Sequence, residues 1–360
     1  MNKAVSAKAG RSRAAEIPAA LLDWYDAHAR VLPWRQPPGS TLPAQDRDWP
    51  YRVWLSEVML QQTTVAAVIP YFARFTARWP TVNALAAADE GEVMAAWAGL
   101  GYYARARNLI ACARAVAAQG GAFPDNEAEL RALPGFGVYT AAAVAAIGFG
   151  RRAVVVDANV ERVVTRLFAL SQPLPGAKPA IRAATDTITP DMRAGDFAQA
   201  MMDLGATICT TRAPRCLLCP LRSQCAAQAA GQADAYPVKP PRRARPERRG
   251  RAFWIARDGA VWLVRRAGRG MLGGMRALPD DGWSAGADGS STPPLPGPLQ
   301  IAGEVSHVFT HFTLRLELAV YSGDDWASLE GADGEWWPLD RLEEAGLPTL
   351  FARAQQLVSL

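Results

Sequence analysis

At 360 residues, half of them hydrophobic and a fifth charged, the chain is long enough for about two domains with sizeable cores and too apolar for wholesale disorder. It holds no apolar run long enough to cross a membrane. A net charge of +5 and a pI near 9.1 modestly favour a polyanionic partner. Of the five cysteines, four are clustered and only Cys112 stands apart, which suits metal ligation in a reducing compartment better than a disulfide framework.

Residues 1–15 carry no acid before Glu16 and read as a disordered basic tail in preference to a transit peptide. A short helix follows over 21–29. Leu32-Pro-Trp-Arg35 is trailed by prolines and Gly39, so it belongs on a loop, where Arg35 either meets a base or phosphate or is an ordinary surface arginine. From Val53 to Ala73 the only charged residue is Glu57. Leu55, Val58 and Met59 share one helical face, and Gln62 is expected to continue it. A lone carboxylate in such a segment is either a surface glutamate or a desolvated acid, and desolvation raises a carboxyl pKa as a general acid needs. Gly99 to Asn108 places a glycine turn, two tyrosines and two arginines at the start of a helix, a composition that serves stacking and phosphate contact as well as it serves a core.

Leu133-Pro-Gly-Phe-Gly-Val-Tyr139 reads as the end of one helix, a tight turn and the start of another. Asn126 and Glu129 have capping-box spacing for the first helix. Pro134 cannot continue it, and Gly135 and Gly137 tolerate a sharp reversal. The second, alanine-rich helix runs from Tyr139 to Ile147. Its free N–H groups suit a phosphate, although a plain helical corner explains the same residues. Val154 to Val160 is a short apolar run ending in Asp157, an N-cap for a helix over 158–170. A carboxylate held by backbone N–H groups is expected to stay ionised. Cys209-x6-Cys216-x2-Cys219-x5-Cys225 forms a closed four-thiolate site for zinc or an iron–sulfur cluster, with Arg212, Arg215 and Arg222 between the ligands.

Residues 231–250 are a basic, proline-rich linker. Beyond it the character changes to mixed α+β. Residues 252–257 and 260–266 read as a hairpin around Asp258-Gly259. Residues 282–298 read as a loop, and 312–320 alternate as a half-buried strand. A helix over 348–360 closes the chain, and no internal repeat is found. The expected organisation is a tail (1–16), an all-α domain (17–230), the linker, and a second domain (251–360).

These stretches, in this order, resemble the helix–hairpin–helix DNA glycosylases that carry a [4Fe-4S] cluster, and within them the MutY-type adenine DNA glycosylases. The resemblance rests on residues 32–35, 56–63, 99–109, 133–141, 155–160, 201–206 and the cysteine spacing, and extends over nearly the whole length. The second domain is similar to that family's MutT-like (Nudix-like) domain through weaker motifs. The resemblance implies a multidomain fold: an all-α helix–hairpin–helix domain with a [4Fe-4S] loop held by Cys209, Cys216, Cys219 and Cys225, plus an α+β Nudix-like domain. It implies a cytoplasmic, bacterial, monomeric enzyme that removes adenine opposite 8-oxoguanine or guanine from duplex DNA by flipping the base.

By resemblance Glu57 is the acid that protonates adenine N7 and then activates water, and Asp157 is the carboxylate that stabilises the sugar cation. This is the two-carboxylate logic of glycoside cleavage. Tyr139 and Asn159 match residues lining the pocket and ordering the water. Arg35 and Gln199 match residues near the adenine, and Gln62, Leu100 and Tyr102 match residues that fill or probe the gap in the duplex. Gly135 and Gly137 belong to the DNA-gripping hairpin. Phe309-Thr310-His311 matches a Phe-Ser-His loop that reads 8-oxoguanine, with Thr310 keeping the hydroxyl. Two departures matter. Tyr139 stands where lyase-active, endonuclease III-like relatives place a lysine, which implies a monofunctional glycosylase. The second domain lacks the glutamate-rich Nudix pattern after Gly273-Gly274, with Leu272 in place of a tryptophan, so it is expected neither to bind magnesium nor to hydrolyse nucleotides. The alternatives weighed are an endonuclease III-like glycosylase for oxidised pyrimidines, opposed by Tyr139 and the second domain, and a non-catalytic DNA-binding or redox-sensing protein, opposed by Glu57 and Asp157.

Overall fold

The computed structural model describes residues 16–40, 46–240, 245–267, 271–326, 329 and 333–358. The basic tail over 1–15 and the linker arginines Arg242 and Arg243 lie outside the described residues. The chain divides into two compact units, Met1–Ala87 with Ala111–Pro241, and Ala88–Ile110 with Arg242–Leu360. Residues 88–110, placed by sequence in the helical domain, therefore group with the C-terminal segment.

The first unit is helical. It holds α1 (16–28), α2 (Trp49–Leu60), α3 (Val65–Arg78) and α4 (Val82–Ala86). The chain then leaves through α5 (Glu90–Trp97) and returns along α6 (Ala104–Ala118). After these come α7 (Glu127–Ala132), α8 (Val138–Ala143), α9 (Ala158–Leu167), α10 (Lys178–Ile188), α11 (Ala194–Thr207) and the short α12 (Ala226–Ala229). The helix α2 is the centre: ten of its twelve residues are buried, Glu57 among them. A helix apolar nearly all round must be enclosed by others, and α3, α8 and the segment after α8 pack on it. The helix stops at Leu60. Gln62 lies beyond its end in a left-handed turn at φ +58, so it does not continue the helical face that the sequence predicts.

The hairpin forms as its residues dictate. The side chain of Asn126 accepts the Glu129 N–H at 2.9 Å and caps α7. Gly135 has φ +75, where a side chain would be strained. Gly137 is different: its backbone is extended at φ −94, and a β-carbon there would meet nothing within 4 Å, so the turn itself does not require glycine at that position. Past α8 the helix widens into a π turn over Val144–Gly148. The turn residue Phe136 stacks on Trp54 of α2 at 6.3 Å, with Phe123 packed against both rings. Phe136 and Tyr139 are three residues apart, as are Trp54 and Glu57. The stacking therefore brings the next pair, Tyr139 and Glu57, together one turn further on. Gly205 lets α11 close on α9, since a β-carbon there would fall 2.6 Å from that of Asn159.

Among the described residues of the second unit seven strands, β1 (Glu247–Trp254), β2 (Ala256–Arg257), β3 (Ala260–Arg265), β4 (Arg276–Ala277), β5 (Leu299–Val308), β6 (Thr313–Tyr321) and β7 (Gly334–Pro338), form two sheets, followed by α13 (Thr349–Gln355). One sheet has the order β1-β6-β5, with β1 parallel and β5 antiparallel to β6. In the other, β3 pairs antiparallel with β2, β4 and β7. The predicted hairpin is real only at its tip. Asp258 and Gly259 both have positive φ, as a type I′ turn requires, but residues 252–254 belong to β1 and pair with the distant β6. That strand also starts inside the expected linker, at Glu247.

Period-2 alternation sorts side chains into two cores. Ala252, Trp254, Val261, Leu263, Leu314, Leu316 and Leu318 share one with Leu350 and Phe351 of α13. Phe253, Ile255, Trp262, Ala319 and Tyr321 share the other. The strand predicted as half-buried is thus covered on both faces at its C-terminal end, because a second apolar layer lies over it.

Candidate active site

A cavity of about 1460 Å³ opens in the first unit. Its wall includes Glu57 from α2, Tyr139 from α8, Asp157 and Asn159 at the start of α9, Gln199 from α11, Arg35 from the loop after α1, and Gln62 from the turn after α2. Seven residues predicted for the site from separate stretches thus share one pocket.

Glu57 is 6 % exposed. Burial pushes its carboxyl up to about 7; the Tyr139 hydrogen bond and the Arg35 cation oppose the rise, and the Asp157 anion adds to it. Tyr139 donates its hydroxyl to Glu57 Oε2 at 2.5 Å. Burial and the two neighbouring carboxylates hold the Tyr139 phenol well above its ordinary value, so it remains a donor. Asp157 caps α9, accepting the Val160 N–H at 2.7 Å and the Asn159 amide at 2.8 Å. Capping was expected to keep this carboxyl low. Burial instead raises it, against the hydrogen bonds from Val160 and Asn159 and the Arg162 cation. Two carboxyls in one desolvated pocket oppose each other's ionisation. Such a pocket can deliver a proton from one acid while the other faces a developing cation.

Sequence reasoning missed two groups. Asp203, wholly buried on α11, accepts from Arg30 Nε at 2.6 Å and from Arg35 Nη1 at 2.7 Å, and Arg30 joins the cavity wall. The partners lie 173 and 168 residues apart, so no local pattern announces them. The second group is a basic pair at i, i+4 on α9. Arg162 donates to Asn159 Oδ1 at 2.8 Å and to the Cys209 carbonyl at 2.7 Å. Arg166, 2 % exposed, reaches Cys209 Sγ at 3.3 Å and the Thr210 carbonyl at 2.7 Å. Hydrogen bonds thus run from Asp157 through Asn159 and Arg162 to the first cysteine's backbone.

Cys209, Cys216, Cys219 and Cys225 are half-buried free thiols that line one small cavity with Arg166 in its wall. Burial pushes Cys219 up to about 12 and raises Cys225, so their thiolates need a cationic partner. Among the described residues no three His, Cys, Asp or Glu converge tightly enough for a single ion. The four thiols line one small cavity, and thiolate is a donor common to zinc and to iron–sulfur clusters. The loop's Arg212, Arg215 and Arg222 are exposed.

The remaining predicted residues are not among those that line this pocket. Gly135 and Gly137 form the hairpin turn. In the second unit Tyr102 is 49 % exposed in a left-handed conformation, while Leu100 is buried at 6 %. Leu100 must therefore leave its packing if it is to enter a duplex. Arg105 braces their loop, donating to the Leu100 and Gly101 carbonyls at 3.0 and 3.1 Å. Phe309 stacks on Phe312 at 4.8 Å and packs against His307 and Trp283. That leaves Thr310 and His311 exposed, with the Thr310 hydroxyl 3.5 Å from that of Tyr102.

Comparison with known proteins agrees with this architecture. Residues 55–186 match the HhH-GPD superfamily of base excision DNA repair proteins, and residues 251–356 match the NUDIX domain. The structure of a thermostable thymine-DNA glycosylase is similar with a TM-score of 0.54 at 28 % identity, covering 62 % of this chain and 99 % of that one. Fold and pocket together define a helix–hairpin–helix base-excision repair protein with an appended Nudix-like domain. An adenine DNA glycosylase of Rattus norvegicus is 34 % identical over 408 residues, covering 92 % of this chain and 76 % of that protein. One from Mycolicibacterium smegmatis is 42 % identical over 215 residues, covering 59 % of this chain and 70 % of that protein. A Homo sapiens adenine DNA glycosylase is 44 % identical over 217 residues, but the chain spans only 38 % of its length. The chain belongs to the adenine DNA glycosylase family.

Proposed function

We propose that this enzyme hydrolyses the N-glycosidic bond of adenine mispaired with 8-oxoguanine, or with guanine, in duplex DNA. The observation that carries the reading is the buried Glu57, pushed up to about 7 and held by the Tyr139 hydroxyl in one pocket with the capped Asp157. Family membership supports adenine as the base. A flipped adenine enters the pocket, beside Arg35 and Gln199. Protonated Glu57 gives its proton to N7, and the bond from C1′ to N9 breaks with its electron pair leaving on the base. Asp157, oriented by Asn159, faces the oxocarbenium-like sugar. Water then adds to C1′ and gives its proton to the Glu57 carboxylate, which restores the acid. Tyr139 offers no amine to attack the sugar, so strand cleavage does not follow.

The four thiols suit a [4Fe-4S] cluster, with Cys209, Cys216, Cys219 and Cys225 as its ligands. When bound, the cluster supplies structural order: it fixes the loop that presents Arg212, Arg215 and Arg222 to the DNA backbone. Zinc in the purified protein, with no broad visible absorption, would contradict this. In the second unit Phe309, Thr310 and His311 are the residues assigned to the opposite base.

The test is base release from duplexes with adenine opposite 8-oxoguanine, adenine opposite thymine, and thymine glycol opposite adenine, each with and without alkali. The reading requires cleavage of the adenine strand opposite 8-oxoguanine, only after alkali. Nicking at thymine glycol without adenine release would place the enzyme with the pyrimidine glycosylases.

A further inference from the structure

Asp203 is buried completely and is not part of the cavity wall. Three donors converge on it: the Arg30 backbone N–H at 3.0 Å, Arg30 Nε at 2.6 Å and Arg35 Nη1 at 2.7 Å. Both arginines do line the cavity, and the Arg35 side chain is 6 % exposed. Asp203 therefore grips two cations from behind the wall.

The groups facing Glu57 are Tyr139 from α8, Asp157 from the start of α9 and Arg35 from the loop after α1. Only Arg35 is positive. A guanidinium free to pair with Glu57 would favour the carboxylate and remove the acid the reaction needs. Around Arg35 stand Asp203 from α11, Tyr25 from α1 and Glu57 from α2. Tyr25 cannot neutralise it: its buried hydroxyl has no hydrogen-bond partner among the described residues, and burial pushes the phenol up to about 12. Compensation of Arg35 thus falls to Asp203 or to Glu57, and the observed pairing is with Asp203. We infer that Asp203 is a positioning residue: by holding Arg30 and Arg35 from behind the pocket it keeps Arg35 from pairing with Glu57, and so leaves Glu57 free to act as the proton donor. This rests on the reading of Glu57 as the proton donor.

The experiment uses the full-length protein with its cofactor. Single-turnover adenine release opposite 8-oxoguanine is followed across the pH range around neutrality. Because protonated Glu57 is the active form, the rate falls on the alkaline side as Glu57 ionises. In Asp203→Asn the carboxylate no longer holds Arg35, and the alkaline limb moves down by about one pH unit. Asp203→Glu restores it. Arg35→Met moves the limb up, and adding Asp203→Asn to Arg35→Met brings it no lower, since Asp203 acts through Arg35. A folded Asp203→Asn protein with an unmoved limb overturns the proposal, as does a limb that drops equally without Arg35. If Asp203→Asn does not fold, Arg35→Met decides alone, and a limb that fails to rise refutes the coupling. The carboxyl ¹³C titration of Glu57 in the free protein gives the same comparison without catalysis. If the wild type releases no adenine, the functional reading falls while this titration still decides the role of Asp203.

Discussion

Glu57 stands in the middle of a helix buried on nearly every side, whereas Thr310 and His311 stand at the tip of a turn open to solvent. Both regions depend on stacked aromatics. Trp54 and Phe136 set the distance between Glu57 and Tyr139, and Phe309, Phe312 and Trp283 hold the turn over 309–312. The difference lies in what the rings support. In the pocket they hold charged groups out of water, where each electrostatic contact is strong and its loss large. At the turn they present polar groups to water, where one hydrogen bond contributes about 1 kcal/mol net. The proposed chemistry and the proposed recognition are thus separated by solvation, and substitutions in the two regions should differ in size and kind.

The largest effect is expected in the pocket. Glu57→Gln keeps the shape and removes the proton donor, so single-turnover adenine release should fall about 10⁴-fold with DNA binding retained. A loss under tenfold would remove Glu57 from the chemistry. Trp283→Ala tests whether the exposed turn has a rigid base. Trp283 is 1 % exposed, with Arg266 over its ring at 4.8 Å, and its truncation should cost about 3–5 kcal/mol of stability in urea unfolding of the second unit. Asp157→Asn separates charge from capping. Asn caps as well as Asp, so stability should hold while adenine release falls about 10²–10³-fold.

A smaller effect concerns the stability that Glu57 costs the fold. Its carboxyl titrates near 7 in the folded protein against an ordinary 4.5, so the unfolded chain loses this proton first as pH rises. Stability drops between those values, and Glu57→Gln should be more stable than the wild type by about 3 kcal/mol above neutral pH and equal to it in acid. Equal urea midpoints above neutral pH would show that Glu57 is not desolvated. The smallest effect belongs to Thr310→Ala. It should lower the preference for 8-oxoguanine over guanine by about tenfold or less, measured as the ratio of release rates on the two duplexes. A change in adenine release itself would break the separation proposed between the two regions.

Much of the site was legible because its signals are local. One charge in an apolar helix marked Glu57, a cap position marked Asp157, a glycine turn marked the hairpin, and spacing marked the four cysteines. Other features depend on partners far away in the chain. Gln62 read as helical, but the helix ends two residues earlier. The strand over 252–254 read as a hairpin arm, yet it pairs with β6, with Ala252 opposite Leu318, 66 residues on.

The sequence by itself determined the helical class of the first domain, the mixed α+β class of the second, their order and the cysteine spacing, and it offered Glu57 and Asp157 as candidates whose roles came from the family resemblance. Apart from those roles, these follow from periodicity, capping and residue chemistry, all of which act over a few residues. Only the tertiary structure decided that Glu57 is desolvated against Tyr139, that Asp157 is raised by burial despite its cap, that Arg30 and Arg35 share Asp203, and that Leu100 is packed away while Tyr102 is exposed. Solvation and charge pairing depend on which surfaces the fold brings together, and no local pattern carries that information.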